Sequence, residues 1–126
     1  RRPSEAVGEW LDRQTASDLF LTAISLAELY RGIAILDDGR RKRELKEDTD
    51  RFRIDYFGGR ILAFDMEAAF AYADLTAKTR ALGISMSFAD AQIAAIAVTH
   101  GFSVATRDVG PFTAAGVNVI NPWTDR

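Results

Sequence analysis

The sequence predicts a three-layer α/β domain, a central parallel sheet with helices on both faces. Three observations carry that expectation. Short apolar runs of strand character alternate with longer helical segments, the helical segments close on glycine, and no linker, repeat or composition shift divides the 126 residues. Strands covered on both faces read as continuous apolar runs rather than alternating ones, and these do. Residues 1–126 are therefore expected to form a single domain, a size at which single domains of about 100–150 residues are common. Hydrophobic residues at 48% supply a core, and 27% charged residues with three prolines argue against disorder.

The elements follow in order. Ser4 is placed to cap a short helix carrying Val7, Trp10 and Leu11 at helical spacing. Leu19–Thr22 fits a buried strand. Ser25 then opens a second helix, with Glu28 three residues on as in a capping box and Ile24 and Leu29 placed as a hydrophobic staple; Asp37-Asp38-Gly39 closes it. Residues 40–56 put Leu45, Thr49, Phe52 and Tyr56 along one face of a third helix. Gly58-Gly59 leads to a strand over Ile61–Phe64, and Asp65 caps an alanine-rich helix that runs to Leu82, with Gly83 as its stop. Ser87 opens the next helix, which ends at His100-Gly101. Phe102–Thr106 and Val117–Ile120 read as the last two strands, joined by a glycine-marked loop.

Composition narrows the chemistry. Cysteine is absent, which removes disulfides, thiol nucleophiles and zinc–thiolate sites together. The single histidine, His100, sits at a helix end, where it is expected to serve the last carbonyls. No apolar run reaches the ~20 residues of a transmembrane helix. Carboxylates are left to carry any reaction.

In open α/β sheets, ligands bind beyond the carboxyl ends of the strands. Glu28 is expected in the first turn after Leu19–Thr22, Asp90 in the first turn opened by Ser87, and Asp108 two residues past Phe102–Thr106. Acids drawn together at one end of a sheet repel unless a cation sits among them. An all-oxygen set favours Mg²⁺ or Mn²⁺, and water activated on such an ion hydrolyses phosphodiesters. Thr106 is placed to orient a ligand or water. Each acid also has a plain alternative: Glu28 and Asp90 as capping-box and helix-dipole residues, Asp108 as a turn cap. Asp65 is read as a helix cap.

These residues carry a resemblance. Ile24–Gly32 resembles the S-x-x-E-L-x-x-G segment of PIN-domain toxins of the VapC type, and Phe88–Ala97 their D-A-x-I-A-A-x-A helix. Ala105-Thr106-Arg107-Asp108 with Phe112 resembles T-R-[ND]-x-x-x-F, and Val119–Trp123 the ending of the FitB-like branch. The resemblance spans nearly the whole chain and implies a PIN-like fold and a cytoplasmic, Mg²⁺- or Mn²⁺-dependent ribonuclease toxin acting on structured RNA such as tRNA. It also implies a homodimer and a cognate VapB/FitA-type antitoxin as partners. It carries metal-site roles onto Glu28, Asp90 and Asp108, and a supporting hydrogen-bonding role onto Thr106.

Two departures stand out. Many relatives have an Asp where this chain has Pro111. The family also begins with a central strand bearing a first acid in a D-T-N-like motif, whereas this chain opens Arg1-Arg2-Pro3 without a methionine. The expectation is that about ten residues of strand and turn precede it.

The formal net charge is −2 with a pI near 5.4, and 13 of the 16 basic residues are arginine, suited to bidentate phosphate contacts. Arg40-Arg41-Lys42-Arg43 is the one basic run. It reads as a solvated face balanced by Asp37, Asp38, Glu44, Glu47 and Asp48, with RNA or antitoxin contact as the alternative. Two further classes compete with the ribonuclease. One is a non-catalytic PIN module that acts through dimerisation or antitoxin binding. The other is a receiver or phosphatase domain, which wants a lysine late in the chain; Lys42, Lys46 and Lys78 all precede Asp90.

Overall fold

The computed structural model describes residues 5–124. In chain order they form α1 (Glu5–Arg13), a 3₁₀ turn (Ala16–Asp18), β1 (Leu21–Thr22), α2 (Ala23–Ala34), α3 (Arg40–Tyr56) and β2 (Ile61–Leu62). There follow α4 (Met66–Ala81), α5 (Phe88–His100), β3 (Val104–Ala105), α6 (Val109–Ala114) and β4 (Val119–Ile120). The Ser4 cap expected for α1 lies outside the described residues.

The strands pair in parallel as expected, β1 with β2 in the register Leu21↔Ile61 and β3 with β4 in the register Val104↔Val119. They form two two-stranded sheets. Among the described residues no backbone hydrogen bond joins β1 to β3; instead Phe20 and Phe102, just ahead of those strands, stack at 4.7 Å. The paired stretches are shorter than the apolar runs that announced them, because side chains at the ends of each run pack elsewhere. Leu19 is buried beside Leu11 and Phe57, and Phe64 leaves its strand to meet Tyr72 edge-on at 6.0 Å.

Packing concentrates on α5. Ala91, Ala94, Ala95, Ile96 and Ala97 are all buried. Small side chains let α4 lie close along one face of it, where Leu75, Phe112, Ala115 and Val117 complete a core with Ala91, Ala94 and Ala97. The helix stops as expected, with Gly101 in the left-handed region at φ 68. A smaller cluster of Leu11, Leu19 and Phe57 joins α1 to the end of α3, with Trp10, Phe52 and Tyr56 against it.

Helix α6 occupies what reads in sequence as a loop. Gly110 and Pro111 disguise it, yet both fall in its first turn, where proline's missing N–H has no helical partner to lose. Burial of Phe112 then holds the short helix on the core. Among the described residues no helix is long and apolar enough to cross a membrane.

Candidate active site

Helix α2 starts directly at the end of β1, and the residue that starts it is Thr22 rather than Ser25. Thr22 Oγ1 accepts from the Ser25 backbone N–H at 3.0 Å and donates to the Ser25 hydroxyl at 3.1 Å. The strand delivers the chain straight into the helix, so the cap falls three residues earlier than the sequence pattern suggests. Glu28 is thereby moved out of the first turn, which contains no acid. Neither the capping box nor the dipole of the first turn accounts for Glu28, whose side chain is exposed.

Asp90 is in the first turn of α5, where its backbone N–H donates to the Ser87 hydroxyl at 3.1 Å. Its carboxylate does not return the bond. Two described acids are only half-buried rather than exposed, Asp50 and Asp90. Asp50 accepts from the Tyr30 hydroxyl and pairs with Lys46 at 3.0 Å and Arg53 at 3.7 Å, contacts that hold its carboxyl below the ordinary carboxylate range, the Tyr30 bond most of all. Asp90 has no such partner among the described residues. Its carboxylate is thus reached by solvent and carries no structural contact among them.

Asp108 stands at the N-cap position of α6 but makes no capping hydrogen bond. Its backbone N–H donates to Thr106 Oγ1 at 3.1 Å, while the Thr106 N–H extends the β3–β4 pairing to the Ile120 carbonyl at 2.9 Å. Thr106 therefore fixes the turn that presents Asp108, and the Asp108 side chain remains exposed and uncommitted. Asp65, in contrast, does cap: its carboxylate accepts from the Ala68 N–H at 2.9 Å.

The packing of α2 against α5 puts Glu28 and Asp90 on neighbouring helices, and Asp108 follows β3. Among the described residues, no three His, Asp or Glu side chains come close enough to enclose a metal ion. The donor chemistry nonetheless fits a hard divalent cation, since the uncommitted groups are carboxylates and a hydroxyl lies beside them.

His100 is exposed and serves no carbonyl among the described residues; it stacks on Phe102 at 5.3 Å. The basic run is partly balanced as expected, Arg40 by Glu44 at 3.3 Å and Lys42 by Asp38 at 3.2 Å. What the sequence pattern does not reveal is the role of Arg107. Its guanidinium carbon lies over the Trp123 ring, 4.2 Å from the centroid, and the residue directly precedes Asp108 in the chain. The available signal was an arginine immediately before a candidate acid, with a tryptophan just past the last strand.

Short parallel strands between helices, with Glu28, Asp90 and Asp108 free of side-chain partners among the described residues, make this an α/β fold whose spare groups are carboxylates. The PIN domain profile matches residues 1–117, and the chain belongs to the PIN-domain family. It is 50% identical over 123 residues to the plasmid stability protein StbB of Pseudomonas syringae pv. tomato, covering 98% of this chain and 88% of that one. With the VapC ribonuclease Y4jK of Sinorhizobium fredii it shares 44% identity over 121 residues, 96% of this chain and 86% of that one. The crystal structure of FitAcB from Neisseria gonorrhoeae contains a chain similar to this one, with a TM-score of 0.89 and 42% identity. That match covers 98% of this chain and 89% of the other. PIN-like architecture and the FitB-like branch are thus both supported.

Proposed function

We propose that this chain is the toxin of a type II toxin–antitoxin pair and an endoribonuclease that hydrolyses RNA phosphodiester bonds with a divalent cation. The observation that carries the reading is the half-buried, unpartnered carboxylate of Asp90, with Glu28 on a helix packed against its own. Glu28, Asp90 and Asp108 would hold Mg²⁺ or Mn²⁺, and the ion would supply activated water and neutralise charge building on the phosphate. Asp90 fixes the position from its capped helix start, and Thr106 holds the turn that carries Asp108. Kinship with a VapC ribonuclease supports RNA as substrate, tRNA being the structured RNA to try first. Likeness to the FitAcB chain supports a FitA-type antitoxin as partner, and a homodimer in the bacterial cytoplasm completes the proposal.

A second reading is favoured by one specific observation, the lack of a three-acid cluster among the described residues. It is a PIN module that binds its antitoxin without cutting RNA.

The deciding experiment incubates the chain with mixed cellular RNA in Mn²⁺ or in EDTA, beside Asp90→Asn. Cleavage that needs both the metal and Asp90 is expected, with the variant folded as judged by circular dichroism. Full cleavage by Asp90→Asn would sink the site assignment. Folded protein that leaves RNA uncut in Mn²⁺ would favour the binding module.

A further inference from the structure

Anionic RNA approaching exposed Glu28 and Asp108 is repelled unless a cation stands beside them, and the chain as a whole is net negative at −2. Six of the 13 lysines and arginines among the described residues are engaged in hydrogen bonds or ion pairs, Lys42 with Asp38 and Lys46 with Asp50 among them. Arg60 donates to the Leu19 and Tyr56 carbonyls, both at 2.8 Å. Arg53 donates to Tyr30 at 3.0 Å, Arg51 to Asp48 at 2.7 Å, and Arg40 pairs with Glu44. Arg107 makes neither an ion pair nor a hydrogen bond among the described residues, so its N–H groups are unspent there; its guanidinium faces the Trp123 ring.

That contact is built on both sides. Arg107 follows Thr106, whose backbone and hydroxyl fix the turn after β3. Trp123 follows β4, its N–H held by the Asn121 side chain at 3.0 Å after buried Pro122. The parallel β3–β4 pair brings the two turns out at the same end. The indole nitrogen is buried with no partner among the described residues, so the ring is seated by packing and not by a hydrogen bond of its own. A guanidinium laid over an aromatic face keeps its donors directed outward in the plane of the fork, the geometry suited to a phosphate.

We infer that Arg107, pre-positioned by Trp123, binds an RNA phosphate next to Asp108. The inference rests on the ribonuclease reading and adds to it the residue that admits an anion to an acidic site. Arginine is required here rather than a diffuse positive surface, because stacking removes rotamer freedom that a free side chain would lose on binding.

The test measures binding of labelled bulk tRNA to the full chain by fluorescence anisotropy in EDTA, across a salt series, with thermal melts to verify folding. Arg107→Gln is expected to bind about tenfold more weakly, with the slope of log K against log salt reduced by about one. Trp123→Leu keeps the charge and loses the platform, so affinity falls about threefold while the slope stays. Arg107→Lys keeps the slope and falls between them. Arg13→Gln, an exposed cation at the end of α1, controls for bulk charge. Binding by Arg107→Gln that matches the unsubstituted chain, or an equal loss in Arg13→Gln, overturns the inference. RNA cleavage in Mn²⁺ by the unsubstituted chain, alongside such a result, leaves the ribonuclease reading standing. A chain that neither binds tRNA nor cleaves RNA overturns both.

Discussion

Helices α4 and α5 are held by packing, whereas α2 and α3 add a network of polar contacts to a smaller apolar cluster and the buried Ile33. Helix α5 buries five residues and α4 buries Ala68, Leu75 and Thr79, the last satisfied by donating to the Thr76 carbonyl at 3.2 Å. The 17 residues of α3 include no buried side chain at all. It is attached to α2 through Tyr30, which donates to Asp50 and accepts from Arg53, and to α1 through the Tyr56 hydroxyl on Asp12 together with Phe52 and Tyr56 packed on the Leu11 cluster. The fold thus contains a half whose stability scales with volume and a half whose stability depends in addition on protonation and salt. The candidate acids span the two, Glu28 on α2 and Asp90 on α5.

The largest expected effect is a cavity in the packed half. Ile96 is 0% exposed, and Ile96→Ala should cost about 2–5 kcal/mol by denaturant unfolding, the range for deleting buried branched side chains. An equally sized truncation on α3, Leu45→Ala at a half-buried position, should cost clearly less. Equal losses would erase the distinction between the halves.

That distinction also explains what could be read in advance. Helices α3, α4 and α5 emerge from sequence with nearly the observed boundaries because spacing, caps and glycine stops agree there, as at Asp65 and Gly101. The start of α2 does not, because Ser25 and Glu28 imitate a capping box while the local competition is won by Thr22, already fixed at the end of β1. Helix α6 is missed because its stabilisation comes from burying Phe112 against α4 and α5, a tertiary term with no local signature. The acids Glu28, Asp90 and Asp108 are legible as candidates from position alone. Their freedom from structural duty is not, since it depends on which hydrogen bonds are made, and neither is the Arg107–Trp123 contact between turns distant in the chain.

The polar half should respond to pH where the packed half does not. The Asp50 carboxyl is held below its ordinary value chiefly by the Tyr30 hydroxyl. Its contribution to stability is then fully present above the unfolded value of about 3.9 and is lost as pH falls through the lowered folded value. Tyr56 is shifted the other way, raised by its bond to Asp12, so its contribution is present below about 10 and disappears as pH rises through the raised value. Tyr30→Phe should cost about 1 kcal/mol near neutrality and flatten the acid limb of a melting-temperature profile. An unchanged acid limb would show that the Tyr30–Asp50 bond does not hold the two helices together. At the β1–α2 junction, Thr22→Ala should likewise cost about 1 kcal/mol in thermal unfolding, with Ser25→Ala milder; the reverse order would return the cap to Ser25.

The smallest effect separates the two halves by their helix dipoles. Helix α4 is arranged with its dipole: Asp65 and Glu67 at its start, Lys78 and Arg80 in its last turn. Helix α3 is arranged against it, since Arg40, Arg41, Lys42 and Arg43 crowd its positive end and no acid lies in its first turn. Arg41 is exposed and makes no ion pair among the described residues. Arg41→Glu should therefore stabilise the fold by about 0.3–1 kcal/mol at low ionic strength, and the gain should fade as salt screens it. Glu67→Arg on α4 should do the reverse by a similar amount. A gain at Arg41 that persists in high salt would point to helix propensity or packing, and α3 would then be less dependent on electrostatics than its hydrogen-bond network implies.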